Sequence, residues 1–329
     1  MSTARLFPLL LPLLPVLLAA CGGDPKADAE ADDGGAGGAD ATGPTVYDPD
    51  ALLGEQSAAV TAADYDQAWA EASLAVVFDR LPGLHATPVL RAYRDAMDDA
   101  DPDCPSRYSS DGNQFWYANC TSDAGTGFSG YAFDYVYDDV DVYGDGNQWD
   151  AVVVSGAATF TAGGDRYDFS GSAYTAESAQ DGYLVSTSDV YGWFEVTGDR
   201  WASEDWMTEA VHPSLSLYAV TGEGPDPARY LSVSGLIGGL APDLLGVDLD
   251  RLSFANAGAG YSCADEATGV VALRDANGAW WEVHFDVDPD SWEQTGPCDG
   301  CGQVYFQGEL AGEACADPSA LLGWGGEPW

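Results

Sequence analysis

Asp139, Asp141, Asp145, Asn147 and Asp150 place five oxygen-bearing side chains within twelve residues. That is the span of a twelve-residue calcium loop with Gly144 at its sixth position. Tyr143 stands where such a loop needs Asp or Asn, and the flanking runs read as strands rather than helices. Two readings stand side by side: a calcium site, or an acidic hairpin turn whose repelling carboxylates would still gain from a divalent cation. No other cofactor is expected.

A second chemistry lies in aromatic rings set beside carboxylates. Tyr191, Trp193 and Glu195 alternate along one strand face, with Trp201 and Trp206 following. Trp280, Glu282, His284 and Asp286 share another face, opposite the core-like Trp281, Val283 and Phe285. Flat rings next to acids suit sugars, whose apolar faces stack while their hydroxyls donate to the carboxylates. The competing reading is core or edge packing, because aromatics are ordinary strand residues. An acid-dependent hydrolase such as a glycosidase would need two carboxylates about 5 to 9.5 Å apart, and a chain this acidic offers too many pairs to single one out.

Other chemistries are excluded by what the chain lacks. Its one lysine is Lys26, so a Walker-type phosphate loop, a pyridoxal Schiff base and a Ser-Lys dyad have no lysine in the folded part. The motifs G-x-S-x-G and H-E-x-x-H are absent, and His85, His212 and His284 fall at no metal or triad spacing.

The N-terminus gives the location. Arg5 precedes an apolar run from Leu6 to Leu18 that is interrupted by Pro8, Pro12 and Pro15 and exits through Ala19 and Ala20. A membrane helix needs roughly 20 apolar residues, so residues 1–20 read as a removed signal peptide. Leu18-Ala19-Ala20-Cys21 resembles the bacterial lipobox, and the resemblance covers only the first two dozen residues. It implies that the Cys21 thiol receives a diacylglycerol and becomes the new N-terminus. Two or more acyl chains give stable anchoring, so the expected partner is a membrane, held through the lipid. By the same resemblance, Gly22 in place of Asp directly after the cysteine favours the outer membrane of the cell envelope. Residues 21–46 are almost wholly Gly, Ala and Asp, a composition that cannot offset its own ordering entropy and reads as a flexible acidic tether.

Cys21 set aside, six of the seven cysteines remain. An even number in an exported chain points to disulfides. Cys104 and Cys120 flank Asp111-Gly112, a tight-turn dipeptide, and Cys301 and Cys315 flank Gln307-Gly308, so each pair is expected to meet across a hairpin. Cys263 and Cys298 are left by elimination. Cys298-Asp-Gly-Cys301 also has redox spacing and, with Cys263 and Cys315, a zinc-like ligand set. Both alternatives need reduced thiols, which an oxidising compartment opposes.

The formal charge of −43 comes from 54 acidic residues against 11 basic ones. Such a surface repels phosphate backbones, so nucleic acid is excluded as a partner. Cations, basic proteins, glycans and lipids are not.

The supporting elements follow from periodicity. Apolar residues recur at helical spacing over about 58–81 (Tyr65, Trp69, Ala72, Val76, Leu81) and stop at Pro82-Gly83. A second helix over about 88–99 opens with Thr87 as N-cap and Pro88 at its first position, and puts Val89, Tyr93 and Met97 on one face. From about 114 the period becomes two, with turn signals at 144–147, 163–165, 198–199 and 277–278. An apolar residue followed by Ser-Gly recurs in mid-strand, ending at Gly130, Gly156, Gly171 and Gly235. Either the sheet bends or a second backbone comes close there, or small residues are simply common in this chain.

The expectation is a mainly β protein over 47–329. An N-terminal helical hairpin packs on a large curved antiparallel meander of nine to twelve strands, with a disulfide-stapled C-terminal part and an open alternative of a subdomain break at 211–213. Its expected role is that of a membrane-anchored envelope or surface lipoprotein with a non-catalytic binding or structural function. A lipid- or glycan-binding carrier and an acid-dependent hydrolase are the alternatives, and the partner would be a glycan, a lipid or an envelope protein.

Overall fold

The computed structural model describes residues 59–110, 113–141, 146–201, 205–208, 211–222, 228–256, 266–286, 296–318 and 321. The lipobox with Cys21, the tether, Asp145, Cys263 and the Asp111-Gly112 turn lie outside these residues.

Two helices precede the sheet, α1 (Gln67–Arg80) and α2 (Ala86–Met97). α1 starts later than its periodicity suggested. A 3-10 turn, Ala62–Asp64, comes first, closed by reciprocal bonds between Thr61 and Asp64. The chain then swings Tyr65 onto the sheet, where its hydroxyl donates to the Glu313 carbonyl at 2.8 Å, and Asp66 restarts the helix by accepting the Trp69 N–H. The buried stripe of α1 is accordingly Ala70, Ser73, Leu74, Val77 and Phe78. Ala72 is exposed, and Trp69 and Val76 are only partly buried. The N-cap of α2 is His85 rather than Thr87. Pro88 still fits, because a first-turn residue needs no N–H partner inside the helix, and the Ala86 N–H is taken by Ser188 Oγ at 2.8 Å.

Thirteen strands follow in one antiparallel sheet whose spatial order is the chain order. They are β1 (Arg107–Ser110), β2 (Asn113–Thr121), β3 (Gly127–Val140), β4 (Trp149–Ala162), β5 (Asp165–Gln180), β6 (Tyr183–Thr197), β7 (His212–Gly222), β8 (Arg229–Gly238), β9 (Leu244–Ala255), β10 (Thr268–Asp275), β11 (Trp280–Phe285), β12 (Cys301–Phe306) and β13 (Glu309–Cys315). The count exceeds the expected range partly because β1 has only four residues, too few for periodicity to register. β7 begins at His212 and pairs with β6 from Ser214 onward.

The sheet curves around the helices: α2 lies against β4, β5 and β6, and α1 against β10 and β13. Phe78 of α1 meets Phe254 edge-on and Phe285 at a tilt, while Tyr93 of α2 meets Phe160 and Phe169 edge-on. Glycines permit the curvature. Ala132, Gly156, Gly171 and Gly192 are register partners across β3 to β6. A Cβ at Gly171 would lie 2.0 Å from the Tyr191 carbonyl oxygen, and one at Gly192 2.2 Å from that of Ser170. Of the readings of the Ser-Gly pattern, close backbone approach is the one observed.

Both sheet edges are blunted. Tyr65 and its 3-10 turn sit on β13. At the other end, Cys104–Cys120 fastens the residues before β1 onto β2, and Asp101 there accepts N–H bonds from Asp103, Cys104 and Asp123. Blocking of this kind prevents edge-to-edge pairing between molecules. Cys301 and Cys315 are direct cross-strand partners joined by a disulfide, and Cys298 is disulfide-bonded as well. The Cys298/Cys301 redox and zinc alternatives fail on this pairing, because the sulfurs of Cys301 and Cys315 are bonded to each other and offer no thiolate. Among the described residues no helix is long and apolar enough to cross a membrane.

Candidate functional site: the outer face of the sheet

Alternation in each strand sends one set of side chains to the helices and the other outward. On β3 the inward set is Gly130, Ala132 and Asp134, whereas Tyr131, Phe133, Tyr135 and Tyr137 point out. The inward side of β3 is thus mostly small, and Asp134 has a specific inward partner. Its Oδ2 accepts the Tyr93 hydroxyl at 2.7 Å, and that hydroxyl accepts the Trp116 indole N–H at 3.0 Å. Burial and the nearby Asp134 charge together raise the Tyr93 pKa well above its ordinary value.

The aromatics displaced outward form a patch at the β1–β3 end of the sheet. Tyr108 is 70% exposed, Tyr117 78% and Tyr131 53%. Phe115 and Phe133 are cross-strand partners with ring centres 5.9 Å apart. Across β4 and β5 the outward residues nearest this patch become small, while Trp149, Val153 and Tyr174 stand on the same face toward the β3–β4 turn. Two registers run from the patch to β6: Phe133–Ser155–Ser172–Tyr191 and Tyr131–Ala157–Ser170–Trp193. At about 4.8 Å per strand, the aromatics of β3 and β6 stand about 14 Å apart with a small-residue strip between them.

Tyr191, Trp193 and Glu195 thus share one face, as their spacing suggested, and that face is the outer one. Ser170, the partner of Trp193, is buried, and Ser155, Ala157 and Ser172 are partly open. The strip ends in a polar cluster. Glu195 opposes Asp168 across β5 and β6, and Asp168 Oδ1 accepts from Arg166 Nη2 at 2.8 Å. Arg166 Nε and the Thr159 hydroxyl also bond to Asp168. Bonding to Asp168 raises the Arg166 pKa, which fixes a permanent cation beside two carboxylates.

Trp201 and Trp206 do not join this surface, because both are buried in the core. Trp280, Glu282 and His284 do face outward, but on β11, five strands away from β6. There the His284 ring contacts Glu282 Oε2 at 3.2 Å and meets Tyr305 edge-on, while Trp280 lies under the Arg274 guanidinium. The sheet therefore does not unite the two aromatic–acid groups read from the sequence.

Compared with protein-family models, with curated proteins and with solved structures, the chain matches none.

In the acidic turn between β3 and β4, Asp150 Oδ1 accepts the Asp139 N–H at 3.0 Å and Asp141 Oδ2 accepts the Gly146 N–H at 3.1 Å. Asp139 itself has a left-handed backbone, φ 54°. Two of the carboxylates thus brace their own turn, and Asp145 lies outside the described residues. A tighter set of potential metal ligands, Cys301, Glu313 and Cys315, includes the two sulfurs of one disulfide. It cannot act as a thiolate site.

One buried carboxylate was not singled out by sequence. Glu266 is 2% exposed and accepts the N–H groups of Asp286, Asp299 and Gly300 at 3.2, 3.0 and 3.3 Å. Burial raises its pKa against the lowering effect of these bonds. It ties the stretch before β10 to those after β11 and before β12, and nothing in its local sequence marks it, because all three partners are distant backbone.

Proposed function

We propose that this chain is a lipid-anchored envelope protein that binds a ligand without turning it over, through the outer face of its sheet. The observation that carries the reading is the composition of that face. In a chain with a net charge of −43, the charged side chains pointing outward from β4, β5 and β6 are Arg166, Asp168, Asp189 and Glu195, and those of β1, β2 and β3 as far as Tyr137 include none. Tyr, Ser, Thr and Ala take their place. Large rigid rings among small hydroxyls give contact area at low entropic cost, as in other binding surfaces rich in Tyr and Ser. Exposed aromatic patches of this kind mark interaction sites.

The inner face argues against the carrier alternative. Leu74, Phe78, Leu84, Val89 and Tyr93 of the helical segment fill it and are buried, which leaves the outer surface as the place for a ligand. The lipid anchor rests on the lipobox resemblance at Cys21. Two measurements test the proposal. Cys21→Ser should abolish palmitate labelling and release the protein from membranes; labelling that persists would defeat the anchor. A photo-crosslinking amino acid at Tyr131 should give an adduct in intact cells that is absent when the probe replaces Asp98, which lies away from the sheet face. If no outer-face position gives an adduct, the binding reading fails.

A further inference from the structure

We infer that the occupant of the outer face is an uncharged polysaccharide strand lying along β3–β6, with its sugar rings against Tyr131 and Trp193; this rests on the outer-face binding reading above.

Three features of the strip select that chemistry. The first is charge. A polyanion would meet the strongly negative molecule as a whole, and a polycation would find most of its carboxylates elsewhere, because the aromatic margin on β3 carries none and that on β6 only Asp189 and Glu195. An uncharged chain is neither repelled by the molecule nor drawn to its other surfaces. The second is shape. Ser155, Ala157, Ser170 and Ser172 keep the centre of the strip low between two aromatic margins. That floor is closed by Tyr174 on one side and Asp168 on the other, and Tyr131 and Trp193 lie on one register with Ala157 and Ser170 between them, so a linear polymer crossing the strands reaches both rings where a compact molecule reaches one. The margins offer ring faces and edges to apolar sugar faces, and serine and threonine hydroxyls both donate and accept toward sugar hydroxyls.

The third feature is the polar end. Arg166 is committed to Asp168, which leaves Glu195, across the strand from Asp168, as an acceptor for a hydroxyl arriving from Trp193. Charge-assisted bonds of this kind are stronger than neutral ones and give direction to an otherwise sequence-tolerant surface. The role assigned to Glu195 is positioning the strand.

The test is affinity electrophoresis of the full-length protein in gels containing hydroxyethyl cellulose, a neutral (1→3)-glucan or polygalacturonate. Retardation by one of the neutral polymers, unchanged between low and molar salt, and none by polygalacturonate is expected. Tyr131→Ala with Trp193→Ala should weaken the neutral interaction at least about tenfold, since each lost stacking contact is worth a large fraction of a decade. Tyr218→Ala with Tyr230→Ala, on the same face at β7 and β8, should leave it unchanged. Circular dichroism and melting identify any variant that fails to fold, and Tyr131→Ser alone, at a well-exposed position, then carries the comparison. Retardation that survives loss of Tyr131 and Trp193, or that appears only with polygalacturonate, overturns the inference. So does absence of retardation in all three gels. If that absence is accompanied by a polypeptide adduct at Tyr131 in cells, the outer-face reading stands while the polysaccharide does not.

Discussion

Asp168 on β5 and Glu195 on β6 oppose each other directly across two antiparallel strands, and the single guanidinium between them, Arg166, is bonded to Asp168. Like charges in this register repel, and Asp168 is buried while the Arg166 side chain is 48% exposed. Arg166→Gln removes the charged donor from a carboxylate that cannot reach water. A loss of about 1–3 kcal/mol in urea unfolding at neutral pH is expected. Adding Asp168→Asn should recover some of it. Additive effects of the two substitutions would show that the pair is not coupled.

Tyr93 is the bolt between helix and sheet. Tyr93→Phe keeps the ring packing on Phe160 and Phe169 but leaves the Asp134 carboxylate and the Trp116 N–H without the shared hydroxyl. The expected cost is about 1–3 kcal/mol. Tyr93→Phe with Asp134→Ala should be milder than the sum of the two single changes, and a strictly additive double variant would refute the shared-hydroxyl account.

At Gly171 the space for a side chain is occupied by the Tyr191 carbonyl, 2.0 Å from the position of a Cβ, whereas at Gly125 nothing lies within 4 Å. Both have positive φ. Gly125→Ala should therefore cost only backbone strain, about 1–2 kcal/mol. Gly171→Ala must in addition push the central strands β5 and β6 apart, and a melting temperature far below that of Gly125→Ala is expected. Similar values for both variants would mean that the sheet does not need the close approach.

Burial, with the nearby Arg91 charge adding to it, lowers the His85 pKa to about 4 from 6.5. The unfolded chain takes up this proton first as the pH falls, so stability drops between about pH 6.5 and pH 4 and the drop ends below that, amounting to about 3 kcal/mol at most. His212 is lowered by burial as well, so His85→Asn should flatten the slope only partially. Glu266 and Asp248, raised mainly by burial, act with the opposite sign. Their contribution is full below the ordinary carboxylate range and fades as the pH rises through their raised values. Unfolding free energies measured from about pH 7 to about pH 4 would show both effects, and an unchanged slope in His85→Asn would exclude His85 as the source.

Charge makes the last demand. Molar sodium chloride should raise the melting temperature by screening carboxylate repulsion, whether or not a cation site exists. Millimolar calcium at fixed ionic strength should raise it only if Asp139, Asp141, Asp145, Asn147 and Asp150 hold the ion. The gain would be about 2.7 kcal/mol when calcium is a hundred times its dissociation constant. Asp141→Asn with Asp145→Asn should remove the calcium effect alone, and a calcium effect that survives would place the site elsewhere.

How much of this was legible in the sequence differs from element to element. The switch from helical to alternating periodicity near residue 114 gave the class, and the short connections gave the meander order. Turn dipeptides gave the pairing of Cys104 with Cys120 and of Cys301 with Cys315, because those contacts are local. For the same reason Tyr191, Trp193 and Glu195 could be placed on one strand face without knowing the fold.

What the residues alone left open was which face of most strands meets the core, β11 with its buried Trp281, Val283 and Phe285 being the exception. On β3 Tyr131, Phe133, Tyr135 and Tyr137 alternate with Ala132, Asp134 and Val136, and it is the aromatics that face out. The decision is tertiary: on the helix side Ala132 continues the register of glycines Gly156, Gly171 and Gly192, and the inward acid Asp134 is bonded by Tyr93 from α2. Trp201 and Trp206 went into the core and Glu266 onto three distant N–H groups for the same reason. Periodicity is fixed by the covalent geometry of neighbouring residues, whereas burial is fixed by what the chain brings against them from far away.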